Sequence, residues 1–517
     1  MTACCGSADS STAEPSGRGP ATVLIMRSAD DLVEVATTAG VVRGRWRSLP
    51  GGEARSAAFL GIPFAEAPVG ELRFAAPVPK APWEGVRDAL AFGATAQRGD
   101  PGVTLIPEPS VEGENTLNVN VFTPSPVPAR PGEGLPVLVW IHGGGYVAGS
   151  PASQWYDGRN FNRDGVVTVT VSYRLGFDGF GWVEGAPQNR GVLDWLLALE
   201  WVRQNAAAFG GDPGRVTIAG QSAGGGAVLT LLGMERAQHL FHRVYAISGA
   251  TADVSEARAR RLAGEIAREA GVPPTREGFC TLPEERLLEL QAKATEFGPD
   301  SLAAIVEEGL QLGPVVDGDL VKRATRESLR MGIGADKPLV LGATDDEFTM
   351  AFAEAEAKLR WVPRFLLLRK LGLPKAARRR YLADNADVVA LGKARLAGRI
   401  VTDLMFRVTV PRVAADRGAA PTWAYRFSWP SGRFGYAEHC LDVPFFFDCL
   451  DGPAMEPLAG PNPPQSLADD VHGAAVRFVV DGDPGWPRHD TETRMTRVYD
   501  LPTRDMPDAY ASVTSLL

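Results

Sequence analysis

Cysteine is scarce in this chain, and the few present form no pattern. Cys4, Cys5, Cys280, Cys440 and Cys449 have neither the paired spacing of a metal site nor the even number of a disulfide framework, so a reducing compartment is expected. Basic charge is in deficit as well. Lysines and arginines number 53 against 62 aspartates and glutamates, a net charge of -9, which argues against a nucleic-acid partner because phosphate binding needs a basic face. No stretch of 18 uninterrupted apolar residues occurs, and the N-terminus lacks a basic start followed by an apolar run of signal-peptide length. Neither a membrane anchor nor secretion is expected, and the chain reads as cytoplasmic. No period of 20 to 50 residues is visible, which excludes a repeat architecture. Histidines number only six, which narrows the search for a catalytic base.

What is present is ordinary globular material. Hydrophobic residues make up 45% and charged residues 22% of 517, enough for a deep core, and a large α/β enzyme with insertions uses such a length as one unit. Residues 1–30 read as a flexible tail and 31–517 as a single domain. The alternation from Val33 to Val42 and the run from Ala57 to Ala65 suggest short antiparallel strands. LPVLVWIH (Leu135 to His142) and GVVTVTVSY (Gly165 to Tyr173) are continuous apolar runs, as in parallel strands covered on both faces. Apolar residues recur at helical spacing from Val192 to Phe209 and stop at Gly210 and Gly211. VTIAG, RVYAIS (Arg243 to Ser248), PLVLGA (Pro338 to Ala343) and TWAYRFSW (Thr422 to Trp429) repeat the strand pattern. The expected fold class is α/β, with a large mostly parallel central sheet flanked by helices and a small N-terminal antiparallel sheet. Two helical, charged, alanine-rich stretches near 253–313 and 348–400 are expected to cap the carboxyl ends of the strands without a core of their own. The second contains WVPRFLLLRKLGLP, read as helix packing with an acyl-pocket lining as the alternative. It also contains the basic run RKLGLPKAARRR (Arg369 to Arg380), read as a solvated helix face or insertion, with a role at an anionic surface as the alternative.

GQSAGG, Gly220 to Gly225, places one serine among small residues between a strand and a helix. A tight turn there exposes the Ser222 hydroxyl and points a helix N-terminus at developing negative charge, the pattern of a nucleophile elbow; the plainer reading is an ordinary turn. The oxyanion of acyl transfer needs preorganised N–H donors, and HGGGYVAGS (His142 to Ser150) supplies a glycine loop after a buried strand. No lysine follows the glycines as it does in a phosphate-binding loop. A base is required next, and His439 in FGYAEHCLDVPFFF fits by its late position in a loop before an apolar run. His242, His472, His239 and His489 read as structural or surface residues. The acid should follow a strand, where PLVLGATDDE offers Asp345, Asp346 and Glu347, and position does not separate the three. Trp155 is read as packing under the glycine loop, with a place in a substrate gorge as the alternative.

Several of these segments resemble the type-B carboxylesterase family, whose fold is the α/β-hydrolase. FGGDPGRVTIAGQSAGG (Phe209 to Gly225) is similar to its elbow signature, FLGIPFAEAPVGELRFAAPVP (Phe59 to Pro79) to its N-terminal motif, and ENTLNVNVFTP (Glu114 to Pro124) to its second signature. YDGRNF, the SYRLG turn at Ser172, GPVVDG at Gly313, GATDDE, the TD..F pattern from Thr402 and the His439 loop extend the likeness from about residue 33 to the end. The resemblance implies a serine carboxylic-ester hydrolase for small to medium esters, with Ser222 as nucleophile, His439 as base and Glu347 as the acid. It implies Gly144, Gly145 and Ala223 as oxyanion donors, with Ser248 and Gln221 beside the triad. No cofactor and no metal are expected, the partner is a small-molecule ester, and the assembly is a monomer or homodimer.

Departures from the family pattern accompany the matches. Ala96 and Thr116 stand where the family commonly has a disulfide, Gln221 and Asp442 where glutamates are common, and Phe348 where a glycine usually follows the acid. The last of these bears on the shape of the pocket. Other specificities on the same chemistry are a lipase, an amidase, or a choline-ester, polyester or toxin esterase. A non-catalytic binding protein of the same fold is the alternative from another class.

Overall fold

Strands rich in valine and isoleucine occupy the middle of one large sheet because helices cover both of its faces. The computed structural model describes residues 31–49, 55–99, 105–130, 132–295 and 309–517. The expected tail at 1–30 and the 296–308 portion of the first cap lie outside them. Along the chain come β1 (Leu32–Ala36), β2 (Val41–Ser48), β3 (Arg55–Pro63), β4 (Val86–Asp88) and β5 (Asn118–Thr123). Then follow β6 (Leu135–Ile141), β7 (Val167–Val171), β8 (Gly211–Gln221) and β9 (Arg243–Ile247). A short separate pair, β10 (Val254–Ser255) and β11 (Val315–Val316), precedes β12 (Leu339–Thr344), β13 (Thr422–Phe427), β14 (Thr496–Tyr499) and β15 (Arg504–Met506).

The main sheet has 13 strands in the order β1-β2-β3-β5-β7-β6-β8-β9-β12-β13-β14-β15, with β4 on β2. From β7 to β14 every neighbouring pair is parallel. The flanking pairs along the rest of that order are antiparallel. The expected N-terminal antiparallel strands are therefore present as one edge of the main sheet, not as a sheet apart, because β3 pairs with β5 from Ala57↔Thr123 to Pro63↔Asn118.

Alternation along β6 divides the core in two. Val137, Val139 and Ile141 pack on one face with Trp195, while Leu138 and Trp140 pack on the other with Phe446 and Phe478. The helices Glu256–Ala270, Glu284–Ala294, Arg364–Lys370 and Lys393–Thr402 of the two expected caps send Leu262, Leu287, Leu367 and Leu396 into the first of these clusters. Among the described residues no helix is long and apolar enough to cross a membrane. The loops that follow β6, β8, β9 and β12 all leave the carboxyl edge of the parallel strands, the edge at which open α/β sheets bind ligands.

Candidate active site

β8 ends at Gln221 and the helix Ala223–Leu232 begins at the next residue but one, leaving Ser222 alone on the corner. Its φ of 57° and ψ of -121° lie outside the regions a side chain favours. The Ser222 N–H donates to Ile247 O at 2.9 Å and Ser222 O accepts from Gly226 N–H at 2.8 Å, which holds the strained residue in place. So sharp a corner presses the helix onto the neighbouring strand, and a Cβ on Gly224 would collide with the carbonyl oxygen of Ile141. Small neighbours are thus a steric requirement of the turn. Ser222 and Ala223 line a cavity of about 460 Å³, together with Gly143, Gly144, Gly145, Gln221 and His439.

The three consecutive acids after β12 go to three destinations. Glu347 accepts the Nδ1–H of His439 on Oε2 and the Thr344 N–H on Oε1 at 2.8 Å. Asp345 takes the Arg426 guanidinium, with Nη2 to Oδ2 at 2.8 Å. Asp346 faces Arg399 and Arg395 at 3.1 and 3.3 Å. Geometry therefore separates what position in the sequence left open. In the neutral imidazole the Nδ1 proton goes to Glu347 and Nε2 carries the lone pair, which accepts the side-chain N–H of Gln221 at 3.2 Å. Ser222 Oγ makes no hydrogen bond among the described residues, so the imidazole rests on Gln221. Nucleophile-to-base bonds of this kind commonly tighten only when substrate is bound.

Burial opposes a charge on His439, but the adjacent Cys440 sulfur and the Glu347 carboxylate outweigh it and hold the imidazole pKa well above the ordinary histidine value. Burial also pushes the Cys440 thiol up, so the sulfur stays protonated at neutral pH and Glu347 is the charge that matters. Three further acids lie nearby, Glu438 and Asp442 buried and Glu108 half-buried. Burial raises Glu438 to about 8, Asp442 to about 7 and Glu108 to about 7. Glu438 accepts the His439 N–H at 3.1 Å and the Met350 N–H at 3.2 Å, Asp442 the Tyr425 hydroxyl at 2.8 Å, and Glu108 the Tyr156 hydroxyl at 2.7 Å.

The glycine loop after β6 needs backbone that only glycine adopts freely. Gly144 has φ 98° and Gly145 φ 62°. Neither of their N–H groups donates to another group among the described residues, and the Ala223 N–H, in the first turn of its helix, has no intrahelical acceptor. All three residues line the cavity with Ser222. Sequence reasoning missed the residue that anchors this loop. Gln97 is buried, accepts the Gly149 N–H at 2.7 Å and donates to Glu108 O at 2.7 Å. It lies in GATAQ, a stretch read only for the cysteine it lacks. His142 is no rival base: its Nδ1–H donates to Gly143 O at 2.9 Å, its ring stacks on Tyr173, and burial lowers its pKa to about 4. Ser248 is buried just after β9 with its N–H on Gly342 O at 2.8 Å, and its hydroxyl makes no hydrogen bond among the described residues.

Most of the remaining wall is apolar, from Leu105, Ile106, Leu310, Leu312, Phe348, Met405 and Phe406, with Glu108, Thr295 and Gln311 among them. Phe348 stacks on Phe406 with centroids 5.7 Å apart, and both rings lean on His439 at 5.3 and 5.1 Å. Met405 and Phe406 come from a π-helical turn, Asp403–Arg407, whose two ends form a fully buried ion pair at 2.6 Å. Phe406 belongs to the TD..F pattern, which was the available signal for it. The stretch WVPRFLLLRKLGLP does not line the cavity; Leu367, Leu368, Leu371 and Leu373 are core residues. Trp155 is likewise buried away from the cavity and donates its Nε1–H to Pro453 O at 2.7 Å.

A serine on a strand-to-helix corner over a largely parallel sheet, with a histidine and an acid brought to it from later loops, defines an α/β-hydrolase. The carboxylesterase family model matches residues 31–503, and the chain belongs to that family and is a carboxylic ester hydrolase. It is 33% identical over 463 residues to the para-nitrobenzyl esterase of Bacillus subtilis, covering 85% of this chain and 90% of the other. It is also 33% identical to the phenmedipham hydrolase of Pseudarthrobacter oxydans, over 82% of this chain and 86% of that one. Among solved structures it resembles the Geobacillus stearothermophilus carboxylesterase EST55 at pH 6.2 with a TM-score of 0.79 and 31% identity, covering 93% and 98% of the two chains.

Proposed function

We propose that this chain hydrolyses small to medium carboxylic esters through a Ser222, His439, Glu347 triad and an acyl-enzyme intermediate. The observation that carries the reading is the His439 to Glu347 hydrogen bond in the wall of the cavity onto which the Ser222 corner opens. Ser222 Oγ attacks the ester carbonyl while His439 Nε2, released by the Gln221 amide, takes its proton. The N–H groups of Gly144, Gly145 and Ala223 receive the oxyanion. Collapse of that intermediate expels the alcohol, which takes its proton from His439. Water then attacks the acyl-serine with His439 as base, releasing the acid and restoring Ser222. Glu347 remains a carboxylate throughout and steadies the imidazolium. Every step draws on side chains, backbone N–H groups and water.

The size preference is read from the walls, where the stacked rings of Phe348 and Phe406 line a cavity of about 460 Å³. The stretches near 253–313 and 348–400 act as caps on a single domain spanning 31–517, and the buried thiols of Cys440 and Cys449 suit a reducing, cytoplasmic setting. The test is hydrolysis of para-nitrophenyl acetate, butyrate, octanoate and palmitate, with a para-nitrobenzyl ester added because a relative bears that name. Turnover should fall with chain length and drop ~10³-fold or more in Ser222→Ala. Wild-type rates in a folded Ser222→Ala protein would remove Ser222 from the mechanism.

A further inference from the structure

The segment from Lys358 to Arg380 differs in charge from the rest of the molecule. It holds nine lysines and arginines and no aspartate or glutamate, in a chain whose net charge is -9. Its cations are exposed, as a solvated face requires, and large apolar side chains are exposed among them. The helix Arg364–Lys370 turns Leu367 and Leu368 into the core, so Phe365, Leu366, Arg369 and Lys370 face outward. Phe365 is 64% exposed, Leu366 41%, and Trp361, one turn earlier, 77%. Scattered exposed leucines need no explanation, whereas a tryptophan, a phenylalanine and a leucine within six residues, interleaved with cations, form a surface that water does not favour.

The outward turn is built, not loose. The Lys393 ammonium donates to the carbonyl oxygens of Arg360 and Val362, both at 2.7 Å, which braces the backbone on either side of Trp361. The Arg360 guanidinium lies over the Trp361 ring, 5.0 Å from its centroid. Arg364, Arg369, Lys375 and Arg379 are exposed around these rings, and Arg380 pairs with Asp384 at 2.7 Å.

We propose that this surface docks on an anionic lipid bilayer. Tryptophan and phenylalanine partition into the headgroup boundary, and surrounding guanidinium and ammonium groups are drawn to anionic headgroups within a Debye length. Charge complementarity selects the occupant. The remainder of the chain is acidic and is repelled by such a membrane, so the field turns the molecule with this face forward. The helix Lys393–Thr402, whose first residue braces the Trp361 turn, runs directly into the π-helical turn that carries Met405 and Phe406 into the cavity wall. Docking would thus bear on an element continuous with the ester pocket, although the proposal stands independently of the catalytic roles.

The experiment is co-sedimentation of the full chain with vesicles of phosphatidylcholine alone and of phosphatidylcholine mixed with phosphatidylglycerol, at low and high salt. Wild type should bind the anionic vesicles at low salt, with about a tenfold or greater loss at high salt. The double variants Arg364→Glu/Arg369→Glu and Trp361→Ser/Phe365→Ser should each lose binding while hydrolysing para-nitrophenyl acetate at the wild-type rate, which reports an intact fold. Equal binding to both vesicle types, binding unchanged in either variant, or retention on a DNA duplex in preference to vesicles would overturn the proposal.

Discussion

Asp345, Asp346 and Glu347 stand side by side, yet each meets a different partner because the chain turns as it leaves β12. Their substitutions should separate accordingly. Glu347→Gln keeps the shape but removes the charge that the proposed mechanism sets against the imidazolium, and kcat/KM should fall ~10³-fold or more. Asp345→Asn strips Arg426 of its buried partner, so it should lower Tm and leave kcat/KM little changed. Steady-state kinetics and thermal melts on both variants check the ranking, and the reverse order would move the acid. Phe348 acts on a different property. Its ring lines the pocket against His439, so Phe348→Gly should raise the octanoate-to-acetate ratio of kcat/KM by ~10-fold, the usual worth of one or two methylenes of added room. An unchanged ratio would mean that Phe348 supports His439 without limiting the acyl chain.

At the scale of elements, the π-helical turn Asp403–Arg407 holds two demands together. Phe406 and Met405 must face the cavity while Asp403 and Arg407 stay in the core, where Tyr381 also donates to Asp403 at 2.6 Å. Arg407→Met would leave Asp403 buried without its countercharge, at a cost of about 3–5 kcal/mol, visible as a lower Tm. A melt within experimental error of wild type would show that Tyr381 suffices. This element also marks the limit of what the sequence discloses. β6 and β7 are legible because strands covered on both faces must be apolar throughout, and GQSAGG is legible because the corner at Ser222 excludes side chains. Helix-borne contacts are less so. The one extra residue per turn that aims Phe406 inward leaves no periodic trace in so short a stretch, and Gln97 is one polar residue whose role depends on a loop 52 positions away. Likewise, the leucines of Arg364–Lys370 read as core from their spacing, but which ring of that segment meets water depends on the packing of Lys393 beneath it.

For the whole molecule, the buried acids set stability and activity against each other along the pH axis. Glu438, Asp442 and Glu108 have folded pKa values of about 8, about 7 and about 7, each raised by burial. Unfolded, the same groups ionise in the ordinary carboxyl range. Between those limits the folded protein binds more protons than the unfolded chain, so the stability they contribute is complete below the ordinary carboxyl range and is lost as pH rises through 7 and 8. His439, held up against its burial by the Cys440 sulfur and the Glu347 carboxylate, has the same sign. Asp345 has the opposite sign. Burial disfavours its charge, but the Arg426, Arg407 and Arg399 guanidinium groups outweigh that and hold its pKa down, so its contribution is lost only in acid. Tm should therefore be highest near the ordinary carboxyl range, at about pH 4 to 5, and decline toward pH 9. The proposed mechanism needs His439 neutral, so kcat/KM should climb with pH, with its midpoint above the ordinary histidine value of about 6.5. Thermal melts and initial rates across the same pH series test both limbs. Asp442→Asn removes one of the raised groups and should flatten the alkaline decline in Tm. A wild-type Tm that rises from about pH 6 to about pH 8 would mean these carboxyls ionise in the folded protein at ordinary values, and burial would then not be what governs them.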